Sequence, residues 1–417
     1  MEAVVSKNIP QGGAFESELP EDVGLGTISV RGGTLRSGFE ETSEALFLNS
    51  GFVFESARAA EASFTGDLDH FVYSRYGNPT VKMFEERLRL IDGAEAAFGT
   101  SSGMSAVFTA LGALLGAGDR LVAARSLFGS CFVVCNEILP RWGVETVFVD
   151  GDDLEQWEEA LSVPTTAVFF ETPSNPMQSL VDVPRVVEMA HAADAKVVLD
   201  NVFATPLLQR SFELGADVVV YSGTKHIDGQ GRVLGGAILG SQEYIDGPVQ
   251  NLMRHTGPAL SPFNAWTLLK GLETMPIRIR HSVDSALQIA KFLEGHDAIE
   301  WVRYPYLESH PQYELAKRQM SGGGTVVTFS VKGDGDVAKK RAFDVLDGLS
   351  LVNISNNLGD SKSLITHPAT TTHRAMGPEG RAAVGITDGV VRVSVGLEEP
   401  VDLLNDFDRA LTGAPRL

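Results

Sequence analysis

Lys225 and Asp200 are the two residues whose types and positions best fit a chemical task. Lys225 stands in Ser-Gly-Thr-Lys-His, after the apolar run 217–221 and before the glycine-rich run 229–236. Asp200 closes an earlier apolar run, Val-Val-Leu-Asp. An amine just past one buried strand and a carboxylate at the end of another suit pyridoxal phosphate. Its aldehyde forms a Schiff base with lysine, and an acid keeps its ring nitrogen protonated.

Each of these residues also has a plain structural interpretation. A lysine is most often a solvated surface residue, and an aspartate after a strand often caps the next turn through its side chain. Ser222 and Thr224 stand beside Lys225, and in a tight turn their hydroxyls could hold a phosphate while the amine reaches the aldehyde. A buried acid needs a partner, and a pyridinium would be one. We therefore expect Lys225 and Asp200 to act at one cofactor site.

The segment Thr-Ser-Ser-Gly-Met-Ser at 100–105 is a candidate anion site, because it follows a predicted strand and opens a predicted helix. The free amides and the dipole at such a helix start attract anions. The alternative is simple N-capping by Ser101 or Ser102. The two interpretations are compatible, so both stay open.

Two arginines are further candidates for anion binding. Arg75 lies in Tyr-Ser-Arg-Tyr-Gly-Asn-Pro-Thr, ahead of a helix that begins near Thr80, and its planar donors suit phosphate. A polar loop is the alternative there. Arg392 alternates with apolar residues in Val-Val-Arg-Val-Ser-Val, which places it on a solvated face of a plain strand. As a functional residue it would clamp a substrate carboxylate.

Hydrophobic patterns between about 80 and 240 predict the elements that position these residues. Several predicted strands are continuous apolar runs, as expected when helices cover both faces of a parallel sheet. The sequence therefore predicts a doubly wound α/β domain with its site at the carboxyl ends of the strands. The predicted strands are 95–99, 120–124, 145–149, 166–171, 196–200, 217–222 and 235–239, and the predicted helices are 80–91, 103–115, 128–140, 153–160, 184–193 and 205–213.

The rest of the chain divides into an arm and a second domain. Residues 1–65 are rich in Gly, Ser and Glu, and we expect an arm with one short helix that packs on a neighbouring subunit. The large α/β domain is assigned to 66–260 and a smaller α+β domain to 261–417. In the latter, a long helix is predicted at 264–296, strands at 301–304, 325–331, 351–355 and 390–396, and a last helix at 400–411.

Composition excludes several classes of function. The chain has 417 residues and a net charge of −20, which argues against partners such as nucleic acid or anionic membranes. Cys131 and Cys135 lie one helical turn apart without metal-ligand spacing, so we expect reduced core residues and no metal. Residues 1–7 do not read as a secretion signal, and charges interrupt the apolar stretches before they reach the length of a membrane span. We expect a cytoplasmic protein.

Five motifs together resemble the Cys/Met-metabolism family of pyridoxal-phosphate enzymes. This family includes cystathionine γ-synthase, cystathionine lyases, methionine γ-lyase and the homoserine-ester sulfhydrylases. The resemblance runs from about Tyr73 to the C-terminus and implies the aspartate-aminotransferase-like, type I fold, with a mostly parallel seven-stranded sheet. The motifs are Tyr73-Ser-Arg-x-x-Asn-Pro-Thr, Glu171-Thr-Pro-Ser-Asn175-Pro, Asp200-Asn-x-Phe-Ala-Thr-Pro206, Ser222-Gly-Thr-Lys225 and Val393-Ser-Val-Gly-Leu-Glu398.

The resemblance implies a role for each matching residue at the cofactor. Lys225 is similar to the catalytic lysine that forms the Schiff base, and Asp200 to the partner of the pyridinium. Asn175 matches a residue near the phenolic oxygen of the cofactor and the substrate carboxylate. The phosphate ligands implied are Ser222, Thr224 and the amides of Gly103 and Met104.

The resemblance also implies how substrate and subunits are arranged. Arg392, Asn175 and Asn357 are the implied substrate-binding residues. Tyr73 and Arg75 are similar to residues that reach the phosphate across a dimer interface. Family members are usually homotetramers built from two such dimers, so one chain alone is expected to make an incomplete site.

One departure from the family pattern bears on the reaction. Many members have Tyr where this chain has Phe128, and its hydroxyl takes part in proton transfer while its ring stacks on the cofactor. Phe128 keeps the stacking alone, which disfavours a degradative lyase. The segments 229–232 and 359–373 are most similar to bacterial O-succinylhomoserine sulfhydrylases.

The activity implied is γ-replacement on an activated homoserine ester, in which sulfide gives homocysteine and succinate in methionine biosynthesis. Alternatives within the family are cystathionine γ-synthase, O-acetylhomoserine sulfhydrylase and methionine γ-lyase. An alternative from a different class is a cofactor-binding protein without catalysis.

Overall fold

The computed structural model describes residues 19–20 and 22–413. The predicted arm before residue 19, position 21 and the last four residues of the chain therefore lie outside the described residues. Two sheets organise the rest, and they correspond to the predicted α/β and α+β parts. The predicted boundary between residues 260 and 261 stays a prediction.

A seven-stranded sheet forms the centre of the larger part, with strand order β1-β7-β6-β5-β4-β2-β3. Neighbouring strands from β3 through β6 pair in parallel, and only β7 runs antiparallel to its two neighbours. The predicted mostly parallel sheet is therefore confirmed. Its strands are β1 (Ala96–Thr100), β2 (Arg120–Ala124), β3 (Glu145–Val149), β4 (Ala167–Glu171), β5 (Lys196–Asp200), β6 (Val218–Ser222) and β7 (Gly236–Gly240).

Helices cover both faces of this sheet, which explains the continuous apolar strands. In β4, Phe170 packs into the core on one face and Phe169 into the core on the other, and both are fully buried. The helices up to residue 256 are α1 (Leu25–Arg31), α2 (Ala57–Thr65), α3 (Pro79–Asp92), α4 (Gly103–Leu114), α5 (Gly129–Val133), α6 (Leu154–Leu161), α7 (Val183–Ala192), α8 (Thr205–Leu208), α9 (Gln242–Tyr244) and α10 (Gln250–Thr256).

The smaller part contains a five-stranded sheet with order β10-β11-β12-β9-β8. Its strands are β8 (Ile299–Arg303), β9 (Val326–Val331), β10 (Asn353–Ile354), β11 (Leu364–Thr366) and β12 (Val390–Ser394). Its helices are α11 (Pro262–Glu294), α12 (Tyr313–Gln319), α13 (Gly335–Gly348), α14 (Gly377–Ala383) and α15 (Pro400–Leu411).

Helix α11 belongs to two hydrophobic cores. Leu268 and Leu272 pack in the core under the large sheet, whereas Ile289 and Leu293 pack in the core of the small sheet. All four side chains are fully buried. One continuous helix therefore connects the two parts of the structure.

Several predicted elements differ from the structure. The described residues of the arm contain two helices, α1 and α2, where one was predicted, and residues 242–256 contain the unpredicted α9 and α10. The predicted strand at 351–355 shrinks to β10, and its neighbour β11 was not predicted. With two and three residues, these strands are too short to show a period in the sequence.

The predicted helix 205–213 is wrong beyond residue 208, because Gln209 leaves the helical conformation and joins a buried hydrogen-bond network. Gln209 has an extended backbone, and its side-chain Nε2 donates to Asn201 Oδ1 at 3.1 Å. Asn201 Nδ2 in turn donates to Tyr221 Oη at 2.8 Å, and Tyr221 Oη donates to Asp92 Oδ2 at 3.0 Å. Burial raises the pKa of Asp92 to about 7.

Two further expectations concern cysteines and membranes. Cys131 and Cys135 are free and buried, as predicted for core residues. Among the helices in the described ranges, none has the length and apolar character needed to cross a bilayer.

Candidate active site

A cavity of about 270 Å³ lies at the carboxyl ends of β4, β5 and β6. Its walls come from the large sheet and from the loops and β12 of the small sheet. Most of the residues predicted for the site meet here. Those that line the cavity are Gly103, Met104, Phe128, Asn175, Asp200, Ser222, Thr224, Lys225 and Arg392.

Lys225 projects from a short helical turn, Gly223–Ile227, that directly follows β6. Its Nζ donates a hydrogen bond to Oδ1 of Asn357, which brings the predicted residue Asn357 to the reactive amine although it does not line the cavity itself. Burial, together with the charge of Arg392, lowers the pKa of Lys225 to about 8. The amine is therefore a better nucleophile and base near neutral pH than an exposed lysine.

Two acids end neighbouring strands at the floor of the cavity. Asp200 on β5 is paired in register with Glu171 on β4. Asp200 accepts a hydrogen bond from the Val202 amide at 3.0 Å, which is the local cap considered from the sequence, and it also faces the cavity. Burial raises the pKa of both acids, and the charge of Asp200 raises that of Glu171 further. A cation is the partner that this pair favours.

Arg392 is buried at 1% exposure, so the solvated-face interpretation of its strand is wrong. The predicted strand is present as β12, but loops cover the face on which Arg392 lies. Its Nη1 donates to Asn175 Oδ1 at 3.0 Å, and its Nη2 donates to the carbonyl oxygens of Asn356 and Asn357 at 2.9 and 3.1 Å. Its Nε is buried without an acceptor among the described residues. The guanidinium thus retains donor capacity beside the cavity.

The start of α4 meets the end of β6 at another side of the cavity. A Cβ at Gly103 would lie 2.6 Å from Cβ and 2.8 Å from Oγ of Ser222, so only glycine permits this approach. Ser102 caps α4 by accepting the Ser105 amide at 3.1 Å. The capping and anion-site interpretations of this segment are therefore compatible in the structure as well.

The chain matches the profile of the Cys/Met metabolism PLP-dependent enzymes over residues 26–412. It belongs to this family. Pyridoxal phosphate is therefore its cofactor, and the type I fold expected from the sequence is confirmed by solved relatives.

Two relatives in the family are named O-succinylhomoserine sulfhydrylase. The protein from Mycobacterium tuberculosis is 77% identical over 394 residues, which cover 94% of this chain and 97% of the relative. The protein from Pseudomonas aeruginosa is 46% identical over 399 residues, with 96% and 98% covered.

A solved structure of a putative O-acetylhomoserine (thiol)-lyase from Campylobacter jejuni superposes with a TM-score of 0.89 at 30% identity. The match covers 94% of this chain and all of that chain. That structure contains N'-pyridoxyl-lysine-5'-monophosphate.

The residues around the cavity fit the family cofactor. Because Gly103 lets α4 approach Ser222 closely, the first backbone amides of this 12-residue helix lie beside the Ser222 hydroxyl. Such a position suits a phosphate. Thr224 lies on the same wall, where its hydroxyl contacts the Gly235 backbone. The buried acid Asp200 and the amine of Lys225, whose pKa is lowered, are the two other groups that this cofactor requires. On these grounds the site can hold pyridoxal phosphate.

Tyr73 and Arg75 do not line the cavity of their own chain. The Arg75 guanidinium lies 5.3 and 4.8 Å from the ring centroids of Tyr73 and Tyr76 and donates to the Arg254 carbonyl. Tyr73 is 43% exposed. Their predicted contribution to a neighbouring subunit's phosphate site stays a prediction.

Several residues that line the cavity are not among those predicted from the sequence. Glu171 carried a usable signal, since it ends an apolar strand as Asp200 does. Asn356 and Thr372 lie in irregular loops where no periodicity indicates which way a side chain points. Cys131, predicted as a core residue, also lines the cavity, and burial raises the pKa of its thiol.

Proposed function

We propose that the protein catalyses γ-replacement on O-succinylhomoserine, in which sulfide displaces succinate and homocysteine is released. The observation that carries this proposal is the convergence of Lys225, Asp200 and Arg392 on one cavity. The identity of 77% to a relative named O-succinylhomoserine sulfhydrylase supports the choice of ester and nucleophile.

Each cavity residue has a task in this proposal. Bound pyridoxal phosphate supplies a ring that withdraws electrons from the α-carbon of the substrate. Asp200 carries the negative charge that keeps a protonated ring nitrogen in place. Arg392 binds the α-carboxylate, and Asn175 and Asn357, which accept hydrogen bonds from its guanidinium, complete the substrate-binding residues. Ser222, Thr224 and the amides of Gly103 and Met104 bind the phosphate.

Proton transfers fall to Lys225 in this scheme. Its amine, with a pKa lowered to about 8, can take a proton from the substrate carbon and return it within one turnover. Phe128 has no hydroxyl to share this task. Its ring is assigned to stacking on the cofactor, which restricts the motion of the ring but moves no proton.

The proposed assembly is a homotetramer built from two dimers, with Tyr73 and Arg75 reaching the neighbouring subunit's phosphate site. Two features support it. Arg75 is held at the surface instead of at its own cavity. The arm also exposes large apolar side chains, including Phe39 at 94% and Val53 at 91%. A contact with a neighbouring subunit would remove these side chains from water.

The test is a product assay with the purified, cofactor-loaded protein. O-succinylhomoserine and O-acetylhomoserine are each supplied with sulfide or with cysteine, and products are identified by mass spectrometry. We expect homocysteine to form fastest from the succinyl ester and sulfide. Cystathionine as the main product, or a faster reaction of the acetyl ester, would replace this proposal with a different member of the family. A preparation without a visible cofactor chromophore would contradict catalysis altogether.

A further inference from the structure

Glu171 is a cavity residue to which the proposed reaction assigns no task. It ends β4 beside Asp200, and it is 7% exposed. A buried carboxylate next to a second acid is unfavourable unless strong hydrogen bonds offset its burial. The contacts of Glu171 therefore indicate what it does.

The two oxygens of Glu171 bind two different loops. Oε2 accepts the backbone amide of Phe128 at 2.9 Å, and Oε1 accepts the backbone amide of Asn175 at 2.7 Å. Phe128 immediately precedes α5, in the connection that follows β2, whereas Asn175 lies in the loop after β4. One carboxylate thus fixes two segments that are separate in the sequence.

Both segments place a side chain at the cavity. The ring of Phe128 lines one wall, and Asn175 lines another and accepts a hydrogen bond from Arg392. A displacement of the Asn175 backbone would move the acceptor that orients the guanidinium. A displacement of the Phe128 backbone would move the ring that is assigned to stacking.

We propose that Glu171 is a positioning residue, which with one carboxylate sets Phe128 against the cofactor ring and Asn175 against the arginine that binds the substrate carboxylate. This inference rests on the cofactor and substrate roles given under the proposed function. It predicts that the loss of Glu171 changes two properties together, namely the orientation of the bound cofactor and the affinity for the amino-acid substrate.

The test uses the holoenzyme of wild type, Glu171→Gln and Glu171→Asp. Gln keeps the size of the side chain but presents an NH₂ group to one of the two amides and an uncharged, weaker acceptor to the other, so both loops are held less firmly. We expect the KM for O-succinylhomoserine to rise about 10- to 150-fold in Glu171→Gln, the range for a lost hydrogen bond to a charged group. The visible circular dichroism of the bound cofactor should change in amplitude. Glu171→Asp keeps the charge and should restore part of both signals.

Asp406→Asn is the matched control. Asp406 is 4% exposed and its carboxylate accepts the backbone amides of Ser350 and Leu351 at 2.8 to 3.1 Å, but it does not line the cavity. We expect this variant to melt at a lower temperature with unchanged KM and unchanged visible circular dichroism. A purely structural role for Glu171 predicts the same result for Glu171→Gln.

The outcomes separate this inference from the proposed function. If Glu171→Gln has the wild-type KM and the wild-type visible circular dichroism, the inference is overturned while the reaction stands. If Asp406→Asn shifts both signals as much as Glu171→Gln does, the effect is general destabilisation and the inference is again overturned. Absence of chromophore or homocysteine in the wild type would instead remove the proposed function on which it rests. If Glu171→Gln does not fold, the same two readouts on Glu171→Asp decide.

Discussion

Replacing Arg392 with lysine should weaken substrate binding while leaving much of the cofactor site intact. The guanidinium uses Nη1 for Asn175 and Nη2 for two backbone carbonyls, while its Nε has no acceptor among the described residues. Lysine keeps the positive charge but carries its donors on a single nitrogen. It cannot hold the loop oxygens and bind a carboxylate through two parallel hydrogen bonds at the same time.

The size of the effect follows from the contacts that are lost. One hydrogen bond between charged groups contributes about 1.5 to 3 kcal/mol, so its loss corresponds to about a 10- to 150-fold weaker interaction. Because Arg392 is 1% exposed, little solvent screening reduces this figure. The substrate carboxylate remains bound throughout the reaction, so we expect the change mainly in KM, with kcat reduced less.

The assay is steady-state kinetics with varied O-succinylhomoserine at saturating sulfide. Arg87→Lys is the control, because Arg87 is fully buried and its Nε donates to the Gly32 carbonyl at 2.7 Å, outside the cavity. That variant should lose thermal stability but keep its KM. A wild-type KM for Arg392→Lys, or a fall confined to kcat, would refute the assignment of Arg392 to the carboxylate.

Three further predictions concern the lysine, the ring and a buried acid. Lys225→Ala should show no measurable homocysteine formation with an unchanged far-UV spectrum, and normal turnover would refute its role. Phe128→Tyr should increase release of 2-oxobutanoate from the substrate, measured in a coupled dehydrogenase assay, because a hydroxyl becomes available for proton transfer; unchanged release would contradict this. Asp92 holds its proton in the folded state up to about pH 7, whereas unfolded Asp ionises near pH 3.8. The folded state thus binds more protons between these values, and stability falls as pH rises through this window, by at most about 4 kcal/mol. Scanning calorimetry at pH 5 and at pH 8 gives the melting temperature of Asp92→Asn minus that of the wild type, and this difference should be larger at pH 8. An equal difference at the two pH values would contradict the argument.

The sequence was sufficient for the parts of the fold that repeat a strong local pattern. The apolar runs ending at Asp200 and Ser222 predicted β5 and β6, because strands covered on both faces have no polar alternation. Lys225 and Asp200 could be placed together because parallel strands end at the same edge of a sheet. The Phe128 departure was also readable, since it needs only the residue type.

The remaining parts depend on contacts between distant segments. Nothing in the strand of Arg392 shows which loops cover it, so its burial required the structure. The role of Glu171 depends on the amide of Phe128, which lies 43 positions away in the chain. Gln209 leaves its predicted helix because its carbonyl and its side chain both hydrogen-bond Asn201, which lies eight positions earlier in the chain. Such pairings follow from packing and leave no local period.

Helix α11 has a mechanical consequence for the cavity. Floor residues such as Lys225 belong to the part anchored by Leu268, and roof residues such as Arg392 belong to the part anchored by Ile289. A change in the gap between floor and roof therefore bends α11 between the residues that pack in the two cores. Met275 and Ile279 still pack in the core under the large sheet, and Ala286 is the first residue of α11 that packs in the core of the small sheet, so bending falls between Ile279 and Ala286. We expect any opening for substrate entry to bend α11 between Ile279 and Ala286.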